Sequence, residues 1–379
     1  MVRMFREPSM SPRIRSFLPS LLLWLSLPLA ADPAASPGWM SVVRDTPYWE
    51  SQGVYNNIVT VRRWVLTESG FCSESNRHIL FGRRGQFLGY IDNGVSRVGT
   101  QHRLNEARAS MAARDKVETW IAGDADTTGY PFALACDQPH VDLNEAMGRY
   151  LGTSESDRIW GSWDDIRYRS RDNPGPLHDA LVLVHQTRTS QQRLQLPAEL
   201  PRYLAGQLLI ESGGQAQAHS TANARGILQL STSALSDCGI SPSNHWHRLA
   251  QLDCALKLMN QNARNLRPAF EERFGNLPDD KKQRLFTLLL IQAYHGGAGR
   301  VQALLTSDEL SAPADYFARH HDRFTAGDIA FGMVYHNLGR DRLGLASLYY
   351  VADVQLATEA LCNTRQLRND AFCNSPGDQ

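Results

Sequence analysis

Residues 207–230 read QLLIESGGQAQAHSTANARGILQL, and the expected fold follows from how the acid near their start is carried. Leu204, Leu208 and Glu211 stand at i, i+4 and i+7, so a helix through them puts the carboxylate on the face that bears the leucines. Gly213-Gly214 ends that helix immediately afterwards. There the carboxylate is poorly hydrated and close to the negative end of the helix dipole, and both conditions favour its protonated form. A carboxyl group held neutral toward pH 7 is what a general acid needs. The same periodicity also fits a plainer case, in which Glu211 is a solvated residue of the last helical turn.

Outward from this stretch, the helical period dominates everything beyond Pro176. Helices are expected at 177–186, 200–211, 229–236 (interrupted), 252–266, 281–294 and 343–361. Upstream the pattern changes. Between Val61 and Val98 lie the β-type runs HILF, QFLGYI and VSRV, and Asp92-Asn93-Gly94 between the last two is a hairpin signal. The run LNEARASMAARDKVETWIAG predicts a helix with Leu104, Met111, Val117 and Ile121 on a broad face, ended by Gly123. Residues 124–170 read as loops, and Asn173-Pro174-Gly175-Pro176 marks a boundary. The expectation is a mainly α chain, with a smaller α+β accessory domain over 32–173 and a helical domain over 174–379 whose core is 177–361.

The chain has 379 residues, 42% hydrophobic and 9% aromatic, with 39 basic and 39 acidic side chains. That is a globular composition with room for a sizeable core and two or three domains. The charge is unevenly spread. Arg3, Arg6, Arg13 and Arg15, against Glu7 alone, precede the apolar run FLPSLLLWLSLPLA and then Ala31. A basic segment, a short apolar stretch and small residues at its end predict a secretory signal peptide over 1–31. An uncleaved anchor is the alternative, though Pro19 and Pro28 shorten any spanning helix. Losing those four arginines and one glutamate leaves 35 basic and 38 acidic residues, a net charge of −3. The basic footprint of a nucleic-acid binder is then missing. The first cysteine is Cys72, so no lipid anchor on an N-terminal thiol is expected.

Export would put the six cysteines in oxidising surroundings, where an even number favours disulfides. None has zinc-type spacing. Keeping each bridge within one region pairs Cys238–Cys254 and Cys362–Cys373 and leaves Cys72–Cys136.

Three segments carry a resemblance. Glu211-Ser212-Gly213 is followed by Ala224-Arg225-Gly226-Ile227-Leu228-Gln229, with Gly226 fifteen residues after the glutamate. This resembles the catalytic segment of the soluble lytic transglycosylases, bacterial murein-cleaving enzymes with a lysozyme-like fold, where Glu-Ser precedes Gly-Leu-Met-Gln at that interval. Ala293-Tyr294-His295-Gly296-Gly297-Ala298-Gly299-Arg300-Val301 is similar to the family's Ala-Tyr-Asn-Ala-Gly-Pro-Gly-Arg-Val, and Tyr349-Tyr350-Val351 resembles its late Tyr-Val. The three stand in family order and cover about 200–361, under half of the chain.

The resemblance implies a lysozyme-like helical domain with Glu211 as the single catalytic acid/base. Such a residue protonates the oxygen between N-acetylmuramic acid and N-acetylglucosamine, then takes the C6 hydroxyl proton of the same muramyl residue. Attack by that hydroxyl gives a 1,6-anhydro sugar, so no second carboxylate, metal or cofactor is implied. Ser212, Gln229 and Tyr294 match positions lining the glycan groove, and Tyr350 is implied to hydrogen-bond Glu211. Plain core packing is the alternative for Tyr294.

Departures from the pattern are localised. His295, Gly296 and Ala298 replace Asn, Ala and Pro and loosen that loop. His295 there either titrates near neutral pH or simply faces solvent. Ala346, Ser347 and Leu348 stand in place of Glu-Thr-Arg, and Tyr316 and Tyr335 compete with Tyr350 for the place beside the acid. Glu68-Ser69-Gly70-Phe71 imitates the opening motif, but Arg83 stands where Gly-x-x-Gln should begin, and its flanks read as strand and hairpin.

His140-Val141-Asp142 and Asp124-Ala125-Asp126 lack further ligands at metal spacing and read as solvated turns. The run 158–172, RIWGSWDDIRYRSRD, could stack on sugars, bind a partner, or form a core edge with solvated arginines. The implied protein is a periplasmic transglycosylase acting on peptidoglycan strands, in wall turnover or beside a secretion or conjugation apparatus. A hydrolysing goose-type muramidase and a non-catalytic glycan-binding scaffold are the alternatives.

Overall fold

The computed structural model describes residues 39–68, 71–82, 86–114, 133–136 and 141–374. The expected signal segment, 1–31, lies outside them, as do Val117, Ile121, Asp124, Asp126 and His140. Within the described residues the chain is mainly helical with a small antiparallel sheet. Its first half runs α1 (Trp39–Asp45), α2 (Val54–Leu66), β1 (Arg77–Phe81), β2 (Phe87–Asp92), α3 (Arg97–Ala112), β3 (Ala133–Ala135), α4 (Leu143–Tyr150), β4 (Gly161–Trp163) and β5 (Ile166–Tyr168). Helices alone follow: α5 (Leu177–Ser190), α6 (Leu200–Ser212), α7 (Thr232–Asp237), α8 (Arg248–Phe274), α9 (Asp279–Gly296), α10 (Ala298–Thr306), α11 (Ala312–Arg319), α12 (Ala326–Tyr335) and α13 (Leu345–Cys362).

The centre of the bundle is α6. Every one of its residues is buried except Glu211, as fits a helix that is apolar nearly all round. It runs antiparallel to α13, since Glu211 meets Tyr350 at one end and the Arg202 carbonyl meets Thr358 at the other. Gly206 makes this approach possible: a Cβ there would overlap the Thr358 hydroxyl and the Val354 carbonyl oxygen. On its other side α13 packs against α2, where Arg62 holds Asp353 in a two-pronged ion pair at 2.6 and 2.7 Å.

Residues Pro37–Gln379 form one compact unit. Within it α1, α2 and α4 are packed against the later helices. Arg44 of α1 donates to the Leu338 carbonyl at 2.8 Å, and Arg149 of α4 donates to the Gly213 carbonyl at 2.6 Å.

Beside the antiparallel β4–β5 pair, the larger sheet has order β2-β1-β3, all antiparallel, with Ile79 opposite Tyr90 and Leu134. Its hairpin pairs β1 with β2, Gly82 N donating to the Gln86 carbonyl at 2.8 Å, so Asn93-Gly94 lies beyond β2 and not between paired strands. Ser96 caps α3 by accepting from Gly99 N, so the VSRV run begins a helix. Gly94 is required there because a Cβ would fall 2.7 Å from the Gly99 carbonyl carbon. That helix ends at Ala112. Asp142 is a cap as well, accepting from Glu145 N at 3.0 Å to start α4 inside a stretch expected to be loops.

Cys238–Cys254 and Cys362–Cys373 are bonded, with Cα separations of 5.6 and 5.5 Å. The third expected bridge is not formed: Cys72 and Cys136 are free thiols that face each other, and burial, then the neighbouring Cys136, pushes the Cys72 thiol up to about 12. Among the described residues no helix is long and apolar enough to cross a membrane.

Candidate active site

Glu211 occupies the last turn of α6. The helix stops because Gly213 takes a left-handed conformation (φ 62°), with its N–H closing onto the Leu209 carbonyl at 3.0 Å. Ser212, only 6% exposed, turns inward, donating to the Ile227 carbonyl at 2.7 Å and accepting from Gly214 N at 3.1 Å. Arg149 arrives from α4 and bonds the Gly213 carbonyl, so a cation covers the negative end of the helix.

The chain from Ala218 to Leu230 folds back as a strap beside this helix end. Arg225 and Leu230 exchange both backbone bonds, at 2.9 and 3.1 Å, and Gly226 N donates to the Ala218 carbonyl at 2.7 Å. Gly226 has φ 73°, and a Cβ there would overlap the Gln251 amide. That amide accepts from Ile227 N at 2.8 Å and donates to the His245 carbonyl. Gln229, at φ 45°, donates to the carbonyls of Ala218 and Gly226 at 3.0 and 2.9 Å. Tyr294, from the end of α9, donates to the Leu228 carbonyl at 2.7 Å. Ser212, Gln229 and Tyr294 are thus brought together: Ser212 ties the strap to α6, Tyr294 ties it to α9, and Gln229 closes it on itself.

Tyr350 is the tyrosine at the acid. Its hydroxyl donates to Glu211 Oε1 at 2.7 Å and accepts from Gln207 Nε2 at 3.2 Å. The competing tyrosines sit elsewhere: Tyr316 packs between Tyr48 and His320, and Tyr335 lies edge-on to His336. His295 stacks on the Tyr350 ring, with centroids 4.3 Å apart and planes 20° off parallel. His295 is exposed. Burial, and then Arg300, lower its pKa below the ordinary imidazole value.

Burial pushes the Glu211 carboxyl up to about 7, and the Tyr350 hydrogen bond works against that rise. Tyr350 and Tyr294 are pushed well above the ordinary phenol value, first by burial and then by the charge of Glu211, so both remain protonated donors. A carboxyl that is part acid and part base at neutral pH, with one fixed donor, can deliver a proton and take one back.

Glu68 has no such surroundings. It is exposed, just past the end of α2, so the flank expected as strand is helical. Much of the 158–172 run is a core edge. Trp163 donates to Asp253 at 3.2 Å, Asp164 and Asp165 pair with the fully buried Arg188, and Trp160 is left half exposed. The sequence reading passed over Arg149, Gln251 and Gln207. Only Gln207 carried a local signal, as the residue one turn before the acid on its own helix face. In comparisons with known proteins, no family model matches the chain and no curated protein matches it.

Proposed function

We propose that this protein is an exported peptidoglycan lytic transglycosylase with Glu211 as its only acid/base, on a helical domain of lysozyme-like arrangement. One observation carries the reading: a carboxyl at the end of a buried helix, raised to about 7, with a tyrosine hydroxyl directed at one oxygen. It supports a mechanism in which the neutral acid gives its proton to the glycosidic oxygen as the C1–O bond breaks. Tyr350 then stabilises the carboxylate that is left. The C6 hydroxyl of the same muramyl residue bonds to C1, its proton passes to Glu211, and the acid is restored without water. Tyr294, partly exposed and near the acid, is the proposed sugar contact, with Gln229 beside it in the strap. The buried Ser212 has the part of holding the strap. The two disulfides support a periplasmic location, and the wall itself, or a machine that crosses it, is the proposed partner.

Mass spectrometry of digested murein tests this. The expected products end in 1,6-anhydro-muramyl groups, and Glu211→Gln lowers their rate by about 10²–10⁴. Reducing muramyl ends would make the enzyme a hydrolase instead. Murein binding with no soluble product, and no change on Glu211→Gln, would make it a scaffold.

A further inference from the structure

Gln207 lies one turn before Glu211 on α6 and is completely buried. Its Nε2 donates to the Tyr350 hydroxyl oxygen at 3.2 Å, and that hydroxyl donates to Glu211 Oε1 at 2.7 Å. A phenol has one proton to give, and an amide nitrogen can only donate. While its oxygen receives the Gln207 N–H, Tyr350 therefore has to spend its single proton on the carboxylate. The other end of the amide, Oε1, is buried with no hydrogen-bond partner among the described residues. The side chain thus gives up one possible bond and keeps the one to Tyr350.

We propose that Gln207 is a positioning residue: it fixes the direction of the Tyr350 hydroxyl, so that Tyr350 serves Glu211 as a dedicated donor. The consequence for catalysis rests on the reading of Glu211 as acid/base; the coupling among the three side chains does not. A donor behind a hydroxyl strengthens the bond that the hydroxyl makes in front. Gln207 accordingly favours the ionised Glu211 that remains after proton donation, while leaving the acid able to exist near neutrality. The titratable or charged groups around the acid are Tyr350 on α13, Tyr294 and His295 on α9, Arg149 on the Gly213 carbonyl and Arg300 beside His295. Of these, Tyr350 is the one hydrogen-bonded to Gln207.

Titration of the Glu211 side-chain carboxyl by ¹³C NMR tests the coupling without any substrate, so it stands apart from the murein assay. Gln207→Met is expected to raise the Glu211 pKa by about half a unit in the native background, and to leave it unchanged when Tyr350→Phe is already present. The alkaline limb of the pH–activity profile moves up by the same amount. No shift in the native background, or an equal shift in both, would overturn the proposal, because Gln207 would then act through packing. If the Met variant does not fold, the unsubstituted protein decides. The protected Tyr350 hydroxyl proton should show a cross-relaxation peak to the Gln207 side-chain amide, and its absence with both signals visible also overturns the proposal.

Discussion

At the scale of single residues, Glu211 is a cost to the fold. Its folded pKa, about 7, lies above the ordinary carboxyl value of 4.5. Between those two values the native state holds a proton that the unfolded chain has lost. Stability therefore falls as pH rises through that window, and the full penalty is present above pH 7. The shift corresponds to on the order of 3 kcal/mol. Glutamine has the shape of the protonated acid and no charge to desolvate. Glu211→Gln is expected to be the more stable protein at pH 8 by about 2–3 kcal/mol and equal to the parent below pH 4, measured from urea midpoints at both values. Equal stability at pH 8 would show that the carboxylate is well hydrated in the folded state. The position of this acid was legible in the sequence because leucine spacing and the Gly-Gly stop are local signals. The actual partners of Ser212 and Gln229 were not, since a backbone carbonyl leaves no trace in composition.

At the scale of elements, the contact between α6 and α13 sets the distance at which Tyr350 reaches the acid. Gly206 is a point of close approach, facing Val354 and Thr358, and the Tyr350–Glu211 bond lies about a turn and a half further along α6. Gly206→Val should force the helices apart, costing about 1–3 kcal/mol in an unfolding titration. It should also raise the Glu211 pKa, because the bond that opposes burial lengthens. A stability loss with an unchanged carboxyl titration would mean that the two contacts are mechanically independent.

The same elements show where periodicity works. The spacing read α5, α6, α8, α9 and α13 to within a turn or so at most ends. It missed α12, AGDIAFGMVY, because a helix buried on all sides has no polar face to mark a period. Its glycines also resemble breakers, but Gly327 and Gly332 are where the rings of Tyr55 and Phe317 pack. The hairpin failed for a related reason: Asn93-Gly94 has the chemistry of a tight turn, yet its glycine serves the approach to α3.

At the scale of the whole molecule, the early helices belong to the body that carries the acid. Asp328 shows this at one carboxylate. It completes the cap of α12 with Thr325 and also accepts from Gly53 N at 2.9 Å, at the start of α2. Arg62 of α2 is 3% exposed and pairs with Asp353 on the helix that carries Tyr350. No sequence signal announces such a pair, because its two charges lie 291 residues apart. Removing the arginine alone would leave Asp353 buried without that cation, at a cost of about 3–5 kcal/mol. Arg62→Ala is therefore expected to lower the unfolding midpoint of the entire protein while keeping one cooperative transition, with tryptophan fluorescence and far-UV dichroism moving together. If α2 were only an appendage, the variant would instead show an early, separate transition, with the helices beyond Pro176 unfolding at the parental midpoint. The bidentate geometry and the shared cap of Asp328 argue for the first outcome, in which the integrity of the acid site depends on a segment that the sequence alone sets apart.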